Sequence, residues 1–531
     1  MRRAHAVERR RSTAGLVHGS WLAVLLLCCL VVAGCGEDGG SSDSFSLDEK
    51  LARQFDLYEQ AQQAIVQRVA ADGGTVLRAE WESWLSPPPA YRFSDVDLTK
   101  LRDRQARVIA ESRRRAAQAS VVDLNRIRAA GLVDEYCREL PKGGMLHIHP
   151  SGTRDRDTIE ELLIGVNPIV DGLAILQKAN NGMTTMLYPD EIEFLRNLPV
   201  MHYLDYTAEK RRAIHALFFL PDDPPTHPFE RFEAVFSISE VLSSDASAAA
   251  WVDEKTALDF LTRAAAQGVT YVEFTDDISP TPAILDRLRA QAADWLARTG
   301  VVVRWNLAFD RTLDPGVNAQ IARQLIALVE SNPHDELVGI DLLAKEDGAP
   351  ALETGQQIYG PVLAANEMGR IALHRTMHAG EHGLVMNSRD AMIMGSERLG
   401  HGVRLFEDPI SVEYTRLIVH LPIEINLWSN YRLQVVDSFE HHPFLPFLRL
   451  GLPVSLSTDD EGIFGTDISN ECVIAINHTD ITHAELKAMS FNSLATSFAA
   501  PDIRSALTRQ LEADFQHFEE TWEEVALDPA A

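Results

Sequence analysis

The sequence predicts an α/β fold, a (β/α)8 barrel with an N-terminal helical extension and a helical insertion after the first strand. From Leu140 onward, eight short β-rich runs alternate with helix-length segments, which is typical of parallel βα units. Polar and ionisable residues collect where several of these runs end, and barrel enzymes build their sites at the carboxyl ends of their strands. The predicted strands are 145–149, 270–274, 301–308, 337–342, 371–378, 398–401, 423–427 and 453–457.

The segments between the strands support the barrel. The interval from Ser151 to about Gln267 is too long for one βα unit, so it predicts a helical insertion near the barrel mouth. Helix-length segments follow later strands at 282–299, 317–331, 356–367 and 387–394.

The residues before the barrel are predicted to be helical. Apolar residues recur at helical spacing from Leu47 to Ala71, and a polar, Arg-rich helix is expected from about Ser94 to Ala130. Pro87-Pro88-Pro89 between them predicts a hinge. We therefore divide the chain after its leader into an N-terminal helical region (47–135), the barrel (136–515) and a C-terminal tail (516–531).

Residues 1–34 resemble a lipoprotein-type signal peptide. Five arginines precede the apolar run 21–33, which is shorter than the ~20 residues of a membrane-spanning helix. The run ends at Ala33-Gly34-Cys35, and a flexible tether follows over 35–46. We expect a lipid anchor at Cys35 and a location outside the cytoplasm, on a bacterial membrane. Ordinary secretion after cleavage nearby is the alternative.

Composition excludes several classes of protein. The chain has 531 residues, of which 46% are hydrophobic and 24% charged, as in globular proteins. Lys and Arg number 49 against 77 Asp and Glu, a net charge of -28, so the chain repels phosphate backbones and no nucleic-acid partner is expected. A small neutral ligand is not excluded, because its binding depends on a local pocket.

The cysteines exclude a disulfide framework. Of five cysteines, only Cys137 and Cys472 lie beyond the leader and Cys35. Two cysteines make neither a disulfide scaffold nor a Cys-rich zinc site. Whether these two pair with each other is left open by the sequence.

Histidines at strand ends suggest a metal site. Residues two apart on a strand point to the same side, so His147 and His149 both face one way and offer two imidazoles to one cation. Alone, this pair is as compatible with a structural role. His378 closes the fifth strand and offers a third imidazole, while Glu381 on the following loop is placed to transfer a proton.

The sixth and eighth strands complete the set. His401 lies between two glycines that let it approach a ligand closely. Asp459 and Asp460 follow the eighth strand, and two adjacent carboxylates need a cation or hydrogen-bond donors if they are buried. Together these residues predict metal-activated water. The N3O ligand set is His147, His149, His378 and Asp459, and Glu381, His401 and Asp460 remain as acid, base and orienting carboxylate.

Five segments resemble the adenosine deaminase family, including its secreted, growth-factor-like members and their bacterial relatives. The resemblance covers roughly residues 136 to 510. The segments are LPKGGMLHIHPSG, HRTMHAGEHG, SERLGHGVRL, EINLWSN and HPFLPFLRLGLPVSLSTDDEGIF, in that order. The resemblance implies a barrel of the metal-dependent hydrolase type, one Zn2+ per chain, and hydrolysis of adenosine to inosine and ammonia, with 2′-deoxyadenosine as a further candidate substrate.

The resemblance also implies residue roles. Zinc would be held by His147, His149, His378 and Asp459. Glu381 would protonate the purine N1, His401 would act as base and stabilise the attacking hydroxide, and Asp460 would hydrogen-bond the water and the purine N7. The N-terminal helices would be a candidate homodimer contact.

Three departures from the family pattern concern specificity. Ser151 stands where many members have an acidic residue for the ribose 5′-hydroxyl, and Ala344 replaces a glycine whose amide meets the purine. Glu424-Ile425-Asn426-Leu427 replaces the usual Glu-x-Cys-Pro. We expect Ser151, Ala344 and Asp460 to bind substrate. The alternatives are a metal-dependent hydrolase of another amino-purine or of a non-nucleoside, and a catalytically inactive surface binding lipoprotein.

Overall fold

A computed structural model of the chain describes residues 46–72, 76–86, 96–179, 187–221, 227–243, 246–277, 279–332, 334–346 and 351–527. The predicted signal peptide, Cys35 and all but the last residue of the predicted tether lie outside the described residues, as does the predicted Pro87-Pro88-Pro89 hinge. Within the described ranges, no helix combines the length and the apolar character that crossing a bilayer requires.

The predicted (β/α)8 barrel is confirmed. Eight parallel strands follow one another around a single sheet in chain order, and a parallel bridge between Ile148 and Asp459 brings the last strand back to the first. The strands are buried almost throughout, as expected for a parallel sheet that helices cover. They are β1 Gly143–Ile148, β2 Val269–Asp276, β3 Val302–Asp310, β4 Leu337–Leu343, β5 His374–Ala379, β6 Arg398–His401, β7 Ile423–Ile425 and β8 Val454–Leu456.

Helices lie outside the strands and between them in the chain. Those after β2, β3, β4 and β5 match the predicted segments to within a few residues at each end. The helices from β2 onward are Pro282–Thr299, Pro315–Ser331, Ala351–Glu367, Met386–Ile393, Pro409–Tyr414, Leu427–Arg432, Phe444–Leu450, Glu461–Phe464, Ile468–His478, His483–Ala495 and Pro501–Leu527.

The interval between β1 and β2 is helical, as predicted. It has a hydrophobic cluster of its own, which includes Leu162, Leu195 and Phe218, and a short ribbon that pairs Ile169–Val170 with Met201–His202. Its helices are Arg156–Val166, Gly172–Ala179, Pro189–Arg196, Ala208–Ala216, Pro228–Ser239 and Ala246–Ala266. One of them, Pro228–Ser239, lies at the barrel mouth, and we call it the mouth helix.

The N-terminal region packs on the barrel, and one prediction about it is wrong. The expected single helix over 94–130 is two helices, because the Asp123 carboxylate caps a new helix by accepting from the Asn125 N–H. Trp81 anchors the region by donating to Asp390 at 3.0 Å. The helices here are Leu47–Asp72, Arg78–Leu85, Leu98–Ala119, Leu124–Ala130 and Val133–Glu139.

The C-terminal helix Pro501–Leu527 runs through the predicted boundary between barrel and tail at residue 515. Phe518 and Trp522 beyond that boundary are buried, and both rings contact Tyr136 at centroid distances of 5.1 and 5.2 Å. The helix therefore packs against the start of the barrel as far as these residues.

Candidate active site

A cavity of about 600 Å³ opens at the carboxyl ends of the strands. Six of the seven residues predicted to carry chemistry line it, and the seventh, His147, contacts Asp459. Ser151 and Ala344 line it as well, so the structure brings every predicted site residue to one place. The mouth helix contributes three phenylalanines and Glu233 to the wall; these are Phe229, Phe232 and Phe236.

The predicted metal ligands lie close together. Asp459 Oδ1 is 3.4 Å from His147 Nε2 and 3.3 Å from His149 Nε2. His149 Nε2 is 3.2 Å from His378 Nε2. Among the described residues, ligand atoms of His147, His378, His401 and Asp459 lie within 4.8 Å of one another, and His149, Asp459 and Asp460 form a second such group. Asp459 belongs to both groups, so one compact set of nitrogen and oxygen donors converges here.

Charge in this cluster favours a cation. Burial disfavours a charge on His147, yet Asp459 and Glu424 outweigh it and hold the pKa of His147 well above its usual value. Burial by itself would raise the pKa of Asp459, but His147 and His149 hold that pKa well below its usual range. The carboxylates thus attract positive charge, which a divalent ion supplies.

Carboxylates behind the histidines orient two of them. His147 Nδ1 is 2.8 Å from Glu424 Oε2, and His378 Nδ1 is 3.1 Å from Asp341 Oδ1. A carboxylate accepts but does not donate, so each Nδ1 keeps its proton and Nε2 is the nitrogen left to bind a cation. Both rings are therefore oriented as metal ligands.

The carboxylate behind His147 is held in turn. Arg398, buried inside the barrel, donates to Glu424 at 2.5 Å and to Glu273 at 2.5 Å. Its guanidinium also stacks on the Phe498 ring, with 3.5 Å to the ring centroid. One cation thus connects β2, β6 and β7 and balances the buried carboxylate that faces His147.

His401 has a different environment. Its Nδ1 is 2.9 Å from the Asn430 Nδ2 and 3.4 Å from the Asn426 Nδ2, and neither neighbour is charged. Its Nε2 faces Glu381 Oε1 at 3.7 Å and has no hydrogen-bond partner among the described residues. Burial lowers the pKa of His401 to about 4, so the ring is neutral at pH 7.

Glu346 fixes the turn that carries Glu381. Its carboxylate accepts the backbone N–H groups of Gly380, Glu381 and His382 at 3.0, 2.9 and 3.3 Å. Burial would raise the pKa of Glu381, but the neighbouring histidines His401 and His382 hold it below its usual value. Glu381 is therefore ionised.

The two aspartates after β8 differ in their surroundings. Asp459 has a left-handed backbone (φ 60°) and its Oδ2 accepts from Ser429 at 2.7 Å. Asp460 Oδ1 is buried with no hydrogen-bond partner in the described part of the chain, and burial with the nearby Asp459 charge raises the pKa of Asp460 well above its usual value. Gly152 makes room for it, since a Cβ there would lie 1.7 Å from Asp460 Oδ1.

Ala344 lines the cavity in a strained conformation. Its φ is +75°, a region that favours glycine, so the alanine carries a steric cost of about 1–2 kcal/mol. The methyl group borders the space that a substrate ring would fill. This alanine is the departure from the family pattern with the clearest structural consequence.

The residues that support the site were not predicted from the sequence. Asp341 and Glu424 are charged residues inside otherwise apolar strands, and that contrast was the available signal for both. Glu346, Ser429 and Asn430 lie on loops or helices, where their residue types are common and carried no signal.

Known proteins are similar to this chain over much of its barrel. The family model for adenosine deaminase matches residues 226–514. The adenosine deaminase of Serratia proteamaculans is 30% identical over 227 residues, which are 42% of this chain and 63% of that protein. The adenosine deaminase of Enterococcus faecalis is 28% identical over 196 residues, 36% of this chain and 55% of that protein. The chain thus spans between half and two thirds of these two relatives.

A third relative is named for a different substrate. The N6-methyl-AMP deaminase-L of Xenopus laevis is 28% identical over 262 residues, 47% of this chain and 72% of that protein.

Solved structures share the fold. An adenine deaminase from Arthrobacter aurescens superposes with a TM-score of 0.53 at 22% identity, covering 71% of this chain and 99% of that one. A zinc-bound amidohydrolase from Burkholderia ambifaria gives a TM-score of 0.53 at 19% identity, covering 73% and 94%. These similarities show the barrel. Because the family model matches more than half of the sequence, this chain belongs to the adenosine deaminase family.

Proposed function

We propose that this chain is a zinc-dependent hydrolase that deaminates adenosine to inosine and ammonia, with 2′-deoxyadenosine as a second candidate substrate. The observation that carries the proposal is the convergence of nitrogen and carboxylate donors at the wall of a cavity of about 600 Å³. That volume lies within the roughly 300–1,000 Å³ typical of small-molecule sites.

The donor set fits zinc. His147 and His378 present Nε2 lone pairs, His149 adds a third imidazole, and Asp459 supplies a carboxylate oxygen. His147 Nε2 is buried and makes no hydrogen bond within the described residues, as expected for a nitrogen that binds a cation. When bound, zinc lowers the pKa of a water to near neutrality and so supplies hydroxide as a nucleophile.

The remaining residues match the proton movements of deamination. Ionised Glu381 takes a proton from the attacking water and passes it to the purine N1, which makes C6 more electrophilic. Burial raises the pKa of Asp460 well above its usual value, which favours the protonated carboxyl, and that form donates a hydrogen bond to N7, an acceptor-only atom. Glu381, ionised again after it has protonated N1, carries the second proton of the water from the new C6 hydroxyl to the amino group. The C6–N bond then breaks, ammonia leaves, and C6 keeps the oxygen as a carbonyl.

The charge of the cavity favours a nucleoside over a nucleotide. Among the described lining residues there is no lysine or arginine, whereas Asp276, Asp277 and Asp310 add negative charge to the wall. A 5′-phosphate would face these carboxylates without a cation to bind it. We therefore expect adenosine to be turned over at least about 100-fold more efficiently than AMP, since like-charge contacts cost several kcal/mol.

Three assays on the purified chain test this function. Zinc content is measured per chain, ammonia release is followed with adenosine, and the ultraviolet shift from adenosine to inosine is recorded. Turnover with about one zinc per chain supports the proposal. Zinc without turnover of adenosine would move the assignment to another amino-purine, to be tested across substrates starting with AMP and N6-methyl-AMP. Neither zinc nor turnover would favour the inactive binding protein.

We also propose an extracytoplasmic location with a lipid anchor at Cys35, supported by the leader sequence alone. Expression of the full chain and of Cys35→Ser in a bacterium tests it. The parent should sediment with membranes and carry acyl groups on its N-terminal residue, and the variant should carry none. An unmodified parent that is released to the medium would contradict the anchor.

A further inference from the structure

A chain of three hydrogen bonds connects a backbone N–H to His401. The Phe444 N–H donates to His442 Nδ1 at 3.2 Å. His442 Nε2 is 3.0 Å from Asn430 Oδ1, and Asn430 Nδ2 is 2.9 Å from His401 Nδ1. All of these residues except His401 come from the connection between β7 and β8. The hydrogen bonds therefore reach His401 at Nδ1, on the side of the ring away from Glu381.

The direction of this chain is fixed at its outer end. A backbone N–H only donates, so His442 Nδ1 is an acceptor and the proton of a neutral ring lies on Nε2. His442 Nε2–H therefore donates to Asn430 Oδ1, which turns the amide nitrogen of Asn430 toward His401. His401 Nδ1 must then accept, and its own proton lies on Nε2.

His442 and His401 each accept at Nδ1 from an N–H group that cannot accept, so each ring is neutral. Side chains of Asn430, His442 and His401 are 0%, 2% and 1% exposed. Burial lowers the pKa of His442 to about 3, and His401 adds to this effect. A single proton on each imidazole is therefore the state at pH 7.

We propose that His442 is a positioning residue for deamination: acting through Asn430, it keeps the proton of His401 on Nε2, where it donates a hydrogen bond to the oxygen that attacks the purine. The inference rests on the proposed function and adds to it a residue that does not contact the substrate.

At the predicted metal ligands His147 and His378, the proton lies on the other ring nitrogen, Nδ1. At His147 and His378 the atom behind Nδ1 is a carboxylate oxygen, so Nδ1 keeps its proton and Nε2 is the nitrogen left for a cation. At His401 the atom behind Nδ1 is an amide nitrogen, so Nε2 carries hydrogen and cannot be a ligand. The hydrogen-bond partner of each Nδ1 thus decides whether the ring can bind a metal or donates a hydrogen bond.

This changes the role expected for His401. The nitrogen that faces the site already has its proton, so neutral His401 donates to the attacking oxygen and does not remove a proton from it. The proton of the water passes instead to ionised Glu381. Because a preorganised donor at a developing negative charge is worth about 100-fold to 1,000-fold in kcat, the orientation of this one proton matters to the rate.

Asn430→Asp is the sharpest test, since it changes one atom type. A carboxylate behind His401 accepts from Nδ1, so the proton moves to Nδ1 and Nε2 becomes a lone pair. We expect kcat for adenosine to fall by about 100-fold, the cost of one lost donor, with KM changed less than about threefold and one zinc per chain retained.

A rescue pair tests His442 itself. His442→Gln keeps an acceptor for the Phe444 N–H and a donor for Asn430, whereas His442→Ala removes both. We expect the glutamine variant to stay within about threefold of the parent kcat and the alanine variant to lose about tenfold or more. His441→Gln, at an exposed neighbouring position, is the matched control and should leave kcat unchanged.

Nitrogen NMR of histidine-labelled protein reads the tautomer without any substrate. The Nε2 resonance of His401 should have the shift of a protonated nitrogen in the parent and in His442→Gln, and of an unprotonated one in Asn430→Asp. Should adenosine not be a substrate, this measurement still tests the hydrogen-bond chain. A protonated Nδ1 in the parent, wild-type kcat in Asn430→Asp, or equal losses in the two His442 variants would overturn the proposal.

Discussion

Glu424 Oε2 lies 2.8 Å from His147 Nδ1, and both side chains are 0–1% exposed. The contact fixes which nitrogen of His147 is free, and Arg398 holds Glu424 in turn. A histidine proposed as a metal ligand on β1 is therefore oriented by a residue of β7, far away in the sequence.

Glu424→Gln should weaken zinc binding by about 10-fold to 100-fold, the usual cost of losing an orienting carboxylate behind a metal-bound histidine. The substitution keeps the size of the side chain and removes its charge. Competition with a chromophoric chelator measures the zinc Kd. Glu407→Gln, which removes an exposed carboxylate that pairs with Arg404, is the control and should leave the Kd unchanged. Equal Kd values for the parent and Glu424→Gln would contradict the orienting role.

His378→Ala and Glu381→Gln should separate metal binding from proton transfer. His378→Ala removes a ligand, so we expect loss of both zinc and activity. Glu381→Gln leaves the ligands in place and removes a group that transfers protons, so zinc should remain while kcat falls by about 100-fold to 10,000-fold. Metal analysis and ammonia release on the same preparations check both results. Most of the rate surviving in Glu381→Gln would show that another group protonates the ring.

Ala344→Gly should stabilise the fold. The alanine sits at φ +75°, where a left-handed residue costs about 1–2 kcal/mol, and the greater freedom of glycine in the unfolded chain offsets about 0.4–1 kcal/mol of the gain. The midpoint of urea unfolding should therefore rise slightly, and KM for adenosine should change because the methyl group borders the cavity.

Ala308→Gly is the control for this prediction. Ala308 also lines the cavity but lies within β3, outside the left-handed region. Glycine there should destabilise the protein by about 0.5–1 kcal/mol. If the two variants lost the same stability, strain at Ala344 would not be the cause.

Glu471 should make stability depend on pH. Burial raises its pKa to about 8 in the fold, while its carboxylate accepts from the Trp428 N–H and the Thr466 hydroxyl. A group whose pKa is raised on folding stabilises the protein fully below its unfolded pKa of about 4.5 and loses this contribution as the pH rises toward 8. The loss is of the order of 4 kcal/mol.

Glu471→Gln, which imitates the protonated acid, should reduce this dependence. Melting temperatures at pH 5 and pH 8, recorded with excess zinc, should differ less in the variant than in the parent. Glu523→Gln on the exposed face of the C-terminal helix should behave as the parent does. An unchanged difference in Glu471→Gln would mean that Glu471 is ionised in the fold at pH 7.

The sequence by itself determined the barrel and the residues that converge in it. Strand-sized apolar runs alternate with helical segments. Because the spacing of apolar residues reflects which faces are buried, all eight strands were predictable. Because parallel strands end at one rim, histidines and aspartates at strand ends had to meet there. The same reasoning failed at 94–130, where Asp123 starts a new helix in a stretch whose composition is helical throughout.

Only the tertiary structure decided what each of these residues can do. His147 and His401 are both buried histidines at strand ends, and their sequences do not say which nitrogen carries a proton. A carboxylate from β7 faces one, and an amide held by His442 faces the other. The proton position depends on whether the neighbour donates or accepts, and these neighbours are 277 and 29 residues away. Tertiary packing brings each histidine and its neighbour together, and the sequence around the histidines does not predict this contact.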